Sequence, residues 1–179
     1  MAGFGLGESA WVRGAQAGSV SDLEALFRTH WPRAYRAAYL VVRDGPAAED
    51  IAQEGFLAAL RALDRFDPGR PFGPWLHRIV VNRAIDWARA RALRAEVGGE
   101  ALESLEAAAA TGGGPLGDAL SAGLGSLSPE HRAVIVLRYL LEYTPREIAE
   151  LLELPRGTVN SRLRRGLDRL RDGLPEEEW

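Results

Sequence analysis

The sequence predicts an all-α protein made of two small helical domains joined by a flexible linker. Three observations lead there. Apolar residues recur at helical spacing in two separate blocks, no segment alternates in the manner of a strand, and a Gly- and Ala-rich acidic stretch with little to bury lies between the blocks. No internal repeat is present.

Composition narrows the function classes. At 179 residues, with 46% hydrophobic and 26% charged residues, the chain can bury a core. Cysteine is absent, which removes disulfides, thiolate catalysis and the usual structural zinc sites together. His30, His77 and His131 stand far apart and form no i, i+4 pair, so neither a metal site nor a cofactor is expected. No nucleophile–base pair or Gly-rich phosphate loop suggests an enzyme. Met1 to Ala10 has no basic n-region, and no segment approaches the roughly 18 apolar residues of a spanning helix. The expectation is a cytoplasmic protein that does not insert into membranes.

The elements follow in order. Residues 1–20, Gly- and Ala-rich without periodicity, read as a loose tail. The first domain spans 21–94. Ser21 to Glu24 reads as a capping box, and Leu23, Leu26, Phe27, Trp31 and Tyr35 continue a helical stripe that Pro32 should kink or divide. Asp44-Gly45-Pro46 is a turn feeding a second helix with Ile51, Phe56, Leu57, Leu60 and Leu63 on its apolar face. Phe66 to Pro74 holds three prolines and two glycines and reads as a loop. A third helix carries Trp75, Leu76, Ile79, Val80 and Trp87 largely on one side and Arg78, Asn82, Arg83, Asp86 and Arg89 largely off it. The linker spans 95–126, where residues 107–126 contain six glycines and six alanines. As a flexible coil its roughly 32 residues reach about 31 Å r.m.s., comparable with one turn of duplex DNA at about 34 Å. The second domain spans 127–173, and 174–179 form a C-terminal tail.

The net charge of −3 hides a strong segregation. From Arg61 to Arg94 the balance is +5, and from Pro155 to Arg171 it is again +5, whereas Ala95 to Glu130 carries −6. All 22 basic residues are arginine, which fits forked phosphate or guanine recognition and equally a compositional bias. The clustering is the stronger signal. Two basic islands around an acidic stretch suit contact with phosphate at two places.

The C-terminal island has a recognisable local architecture. Ser128-Pro129-Glu130 opens a helix with Val134, Leu137, Leu140 and Leu141 on its apolar side. Thr144-Pro145-Arg146-Glu147 is a capping box, Ile148, Leu151 and Leu152 give a short helix a buried edge, and Glu153-Leu154-Pro155 breaks it. A second helix then runs from about Arg156 to Arg171 with Val159, Leu163, Leu167 and Leu170 on one side. Opposite lie Thr158, Ser161, Arg162, Arg165 and Asp168, with Asn160 and Arg164 at the border. This is the pattern of a helix-turn-helix whose second helix enters the major groove.

Both ordered blocks resemble one family, the extracytoplasmic-function (ECF) sigma factors of bacterial RNA polymerase. The residues that carry the resemblance in the first block are Glu49-Asp50-Ile51-Ala52-Gln53-Glu54 with Phe56-Leu57, then Trp75-Leu76, Arg78-Ile79 and Asn82. In the second they run from Ser128-Pro129-Glu130 through Glu147-Ile148-Ala149-Glu150 to Gly157-Thr158-Val159 and Ser161-Arg162-Leu163. The resemblance implies that residues 21–94 form a sigma region 2 bundle that binds polymerase and opens the minus-ten element. Residues 127–173 would form a region 4 helix-turn-helix that reads the minus-thirty-five element. Asp50, Gln53, Glu54, Phe56 and Leu57 would then face the clamp helices of the largest polymerase subunit, although Phe56 and Leu57 also suit a core. Phe66, Arg70 and Phe72 would capture an unstacked base, with an anchoring role as the alternative for the aromatics. Arg78, Asn82, Arg83, Asp86 and Arg89 would lie near the opened strands. Arg156, Thr158, Asn160, Ser161, Arg162, Arg164 and Arg165 would form the upstream reading surface. The C-terminal domain would also meet the polymerase flap, and an anti-sigma protein masking the polymerase-binding surface is a further implied partner.

Three positions depart from the family pattern: Gly55 inside the polymerase-binding helix, Glu153 where glycine is usual in the turn, and Asn160 in place of a basic residue. The alternative function is an autonomous helix-turn-helix regulator that binds duplex DNA as a dimer. It accounts for residues 128–171 but not for the Gln53-Glu54 and Trp75 to Asn82 constellation.

Overall fold

A computed structural model of the protein describes residues 6–98 and 122–172. Among these residues every regular element is helical. The first bundle contains α1 (Leu6–Gln16), α2 (Val20–Val42), α3 (Gly45–Arg61), a 3₁₀ turn (Leu63–Arg65) and α4 (Phe72–Gly98). The second contains α5 (Pro129–Tyr139), α6 (Pro145–Leu152) and α7 (Arg156–Asp172), preceded by helical residues 122–126.

Residues 6–20 correct the expectation of a loose tail over residues 1–20, of which residues 1–5 lie outside the described residues. α1 packs on α2 through Val12, which is 1% exposed. Its other anchors are polar side chains bonded to distant backbone, which hydrophobic periodicity does not register. The Glu8 carboxylate accepts hydrogen bonds from the Phe72 and Gly73 N–H groups at 3.0 and 3.3 Å, capping α4 from a different helix. The α2 cap is Ser19 rather than Ser21: the Asp22 N–H donates to its hydroxyl at 3.3 Å. Nor does Pro32 divide α2, which runs for 23 residues. Pro32 and Arg28, whose carbonyl loses its usual partner, both lie on the exposed side.

Small residues let α2, α3 and α4 approach closely. Ala34, Ala37, Ala38, Ala48, Ala52, Ala59 and Ala84 are fully buried, with Leu26, Ile51, Leu76, Val80 and Val81 filling the space between them. Gly55 belongs to this seam. A Cβ there would meet Val80 Cγ2 at 2.5 Å, so the departure from the family pattern serves the contact of α3 with α4. Asp44 caps α3 by accepting from the Ala47 N–H at 3.0 Å, and its other oxygen meets Arg91 of α4 at 2.9 Å.

The two expected bundles are both present, and they rest against each other. α2 and α4 contact α5, and α4 also contacts α6. One continuous apolar core runs from Leu26 and Val41 to Val134, Ile148 and Leu163. Arg132 bridges the join: its Nη1 donates to the Val41 carbonyl at 2.7 Å and its Nε to the Leu127 carbonyl at 3.1 Å. Burial, assisted by nearby Arg43, lowers its pKa to about 10, so it stays charged at neutral pH. Most of the expected linker lies outside the described residues. At its ends α4 continues to Gly98, and Leu124 is buried. The C-terminal tail also lies outside them.

His77 of α4 faces the second bundle, with Nδ1 2.7 Å from the Tyr143 hydroxyl. His30 and Arg33 of α2 are its charged neighbours, and His30 in turn lies 3.2 Å from Glu8 of α1. Burial above all, with His30 and Arg33 adding repulsion, depresses its pKa to about 3 from 6.5. A group lowered in this way stabilises the fold fully above about pH 6.5 and loses that contribution as pH falls toward 3. We therefore predict that the unfolding free-energy difference between the native chain and His77→Asn shrinks by about 1 kcal/mol per pH unit over this window. Urea titrations at several pH values check it; a pH-independent difference contradicts it. Gly55→Ala is predicted to lower stability by about 1 kcal/mol, because overpacking against Val80 outweighs the gain in helix propensity. A raised melting temperature contradicts that.

Candidate nucleic-acid interface

The helix-turn-helix is built as its sequence dictates. Thr144 and Glu147 form a reciprocal capping box: the Glu147 N–H donates to the Thr144 hydroxyl at 3.3 Å, and the Thr144 N–H donates to the Glu147 carboxylate at 2.7 Å. The Thr144 hydroxyl, which donates to the same carboxylate at 2.7 Å, and then the Thr144 N–H hold the Glu147 carboxyl below its ordinary pKa. α6 ends at Glu153 in the left-handed region (φ 54, ψ 42), the conformation for which glycine is usual. Glu153 is one of three non-glycine residues with positive φ among the described residues, with Arg43 and Glu142.

α7 buries Val159, Leu163, Gly166 and Leu170. A Cβ at Gly166 would lie 3.3 Å from Ile135, so glycine brings α5 and α7 together. Of the seven residues expected on the reading surface, Arg156, Asn160, Arg164 and Arg165 are exposed. Thr158, Ser161 and Arg162 are half-buried, and the Ser161 hydroxyl donates to the Thr158 carbonyl at 3.0 Å. The exposed arc is thus rotated toward Asn160 and Arg164 relative to the sequence expectation. On the other edge, burial and the positive charge of Arg169, Arg162 and Arg165 hold His131 below its ordinary pKa.

On α3, Asp50, Gln53, Glu54 and Leu57 are exposed, Leu57 at 43%. Phe56 corrects the expectation: it is 4% exposed and belongs to the core, its ring 5.0 Å from Phe27 and 6.0 Å from Trp31. Phe27, 42% exposed, is the aromatic that reaches the surface here, at a position that the helical stripe alone does not distinguish. It starts a column of rings, Phe27, Trp31, Tyr35 and Tyr39, at spacings of 4.9, 6.3 and 6.4 Å. Aromatics recurring every four residues are the signal that marks it.

On α4, Arg78, Arg83 and Arg89 are exposed and paired. Arg83 meets Glu54 of α3 at 3.1 Å. Arg78 pairs with Glu153, and Arg89 with Glu130 at 2.5 Å, so acids of the second bundle occupy two of the five positions expected near DNA. Asn82 is half-buried and Asp86 exposed, 3.8 Å from Arg89. Arg70 is exposed in the Pro-rich loop. Phe66 and Phe72 are corrected: at 8% and 0% exposure they are core residues, Phe66 stacked on Trp75 at 4.4 Å and Phe72 edge-on to both. Half-buried Trp75 and exposed Arg65, Arg70 and Arg78 line an open cavity of about 560 Å³, closed on its far side by Tyr143 and Glu150.

We predict that Phe56→Ala costs about 3–5 kcal/mol of stability while Leu57→Ala, one residue away, costs less than about 1 kcal/mol. Equal losses in denaturant titrations would contradict the inward placement of Phe56.

Residues 26–94 match the Sigma-70 region 2 family, and residues 123–172 match Sigma-70, region 4. The chain is 37% identical over 153 residues to the ECF RNA polymerase sigma factor SigW of Bacillus subtilis, covering 78% of this chain and 82% of that protein. It is 38% identical over 160 residues to the ECF RNA polymerase sigma factor SigE of Mycolicibacterium smegmatis, covering 84% of this chain and 61% of that protein. Its fold is that of the sigma factor RpoE of Bartonella quintana, solved with the anti-sigma factor NepR (TM-score 0.75, 24% identity, 89% of this chain and all of that one). With both matched regions in order and the relatives aligned across them, the chain belongs to the ECF sigma factors of RNA polymerase.

Proposed function

We infer that this protein is a sigma factor that binds core RNA polymerase, directs it to specific promoters and helps to open them, with no reaction of its own. The observation that carries the reading is the presence of three exposed surfaces on one scaffold, those of α3 and α4 adjoining at the Arg83–Glu54 pair. The α7 face bears Arg156, Asn160, Arg164 and Arg165; the α4 face bears Arg78, Arg83 and Arg89; the α3 face bears Asp50, Gln53, Glu54 and Leu57. The two arginine faces suit phosphate and base edges, while acids beside an exposed leucine suit a protein partner. Relatives named as sigma factors align across both halves, which favours this reading over a dimeric regulator.

The first bundle holds the largest-subunit clamp helices through α3 and opens the minus-ten element through Arg70, Asn82, Arg83, Asp86 and their neighbours. The second reads the minus-thirty-five element through α7 and meets the polymerase flap. An anti-sigma protein that covers Leu57 and its acids is the inhibitory partner of this scheme. Because Glu153 and Glu130 hold Arg78 and Arg89 when the bundles rest together, DNA engages those arginines once the acids have left. Exposed pairs of this kind contribute little, so phosphates compete effectively for the same guanidinium groups. Work at a promoter places the protein in the cytoplasm, and no described helix is long and apolar enough to cross a membrane.

Run-off transcription with purified core enzyme on a set of genomic fragments tests the assignment; absence of promoter-dependent transcripts contradicts it. In the same assay Arg165→Ala is predicted to weaken upstream-element recognition by about 1–3 kcal/mol. Unchanged promoter preference would remove Arg165 from the reading set.

A further inference from the structure

The loop between the 3₁₀ turn and α4 is held from outside, by one face of α1. The Gln16 side-chain amide donates to the Leu63 carbonyl at 2.9 Å and to the Phe66 carbonyl at 2.8 Å. Both partners are carbonyls, which fixes the amide nitrogen as the atom that faces them. The Ser9 hydroxyl donates to the Pro68 carbonyl at 2.6 Å. Glu8 accepts from Phe72 and Gly73 beyond the loop, and the same carboxylate oxygen lies 3.2 Å from His30 Nε2. At 100° per residue Glu8, Val12, Gln16 and Ser9 fall within about 100° of one another, so a single helix face supplies every bond, with buried Val12 at its centre.

These bonds leave the loop little freedom. The Leu63 and Phe66 carbonyls sit before its apex, Pro68 within it, and the Phe72 and Gly73 amides after it. Between them, Asp67 accepts from the Gly69 N–H at 2.8 Å through its carboxylate and from the Arg70 N–H at 2.9 Å through its carbonyl. The loop holds itself only in part, through Asp67 and the buried ring of Phe66; Pro68 and Pro71 lack an N–H, and α1 supplies the bonds to the Leu63, Phe66 and Pro68 carbonyls. Its exposed groups, Arg65 and Arg70, take their positions from the backbone that α1 fixes. Yet α1 lies outside residues 26–94, the stretch matched to region 2.

We propose that Gln16 and Ser9 are positioning residues for promoter opening: through them α1 sets the backbone from Leu63 to Gly73 so that Arg65, Arg70 and Trp75 meet the opened strand in one preformed arrangement. This rests on the assignment of that loop to the minus-ten element. Preforming the loop removes an ordering cost from the encounter with an unstacked base.

The test uses holoenzyme assembled from core polymerase and the full chain. The promoter carries a fluorescent adenine analogue in the minus-ten element that brightens on unstacking. Gln16→Glu keeps the shape but turns a donor into a carboxylate facing two carbonyls, and Ser9→Ala removes the hydroxyl. The double variant, which loses three hydrogen bonds, is expected to slow opening by at least about tenfold, with polymerase affinity and upstream-duplex affinity unchanged. Ser9→Thr, which keeps the hydroxyl, is expected to open promoters at the native rate where Ser9→Ala is slow. Should the double variant bind polymerase normally and open promoters at the native rate while Arg70→Ala opens them slowly, the positioning role is overturned and the loop assignment stands. Should neither the double variant nor Arg70→Ala alter opening, the loop assignment itself has failed. Loss of polymerase affinity in parallel with opening would make α1 a general scaffold and overturn the specific role; Ser9→Ala alone, a single hydroxyl, separates that outcome from misfolding.

Discussion

The close approach of α2, α3 and α4 is the constraint from which the functional surfaces follow. Seven fully buried alanines and Gly55 line their contacts, so the helix axes come together with little side-chain volume between them. With the inner sides so occupied, the arginines of α4 and the acids of α3 have only the outer sides left. A rigid seam thereby fixes the distance and angle between a surface suited to a protein and a surface suited to nucleic acid. Enlarging any seam residue would shift one surface relative to the other, and that is a functional penalty as well as a loss of packing.

The features that the sequence discloses are those with local causes. The Thr144–Glu147 box, the break at Glu153 and the apolar stripe of α7 each arise within a few residues, and each is found where the pattern places it. α1 was illegible because its causes are remote. Glu8, Ser9 and Gln16 reach backbone groups 47 to 65 residues away, and a Gly-rich helix with one fully buried valine has no stripe to recognise. Phe56, Phe66 and Phe72 went astray for a different reason. An aromatic ring serves equally as a core residue or as a base platform, and only the surrounding rings decide. At each of these positions Trp31, Trp75 or a neighbouring phenylalanine encloses the ring.

The join between the bundles combines strong and weak contacts in a telling distribution. Apolar packing, the Arg132–Val41 bond and the His77–Tyr143 bond lie inside it, whereas the Arg78–Glu153 pair lies on its rim. Both α7 and the exposed part of α3 remain outside the join. The resting arrangement therefore leaves the proposed polymerase surface on α3 and the proposed reading helix α7 accessible while acids cover part of α4. Such an arrangement suits a protein that meets the enzyme before it meets melted DNA.

We infer that DNA recognition by this chain is completed only on the polymerase. The most direct measurement is a mobility shift of one promoter duplex with the full chain alone, with core enzyme alone and with both together. A specific, salt-sensitive complex is expected only when both are present. A specific shift by the chain alone, unaltered by added core enzyme, would contradict it.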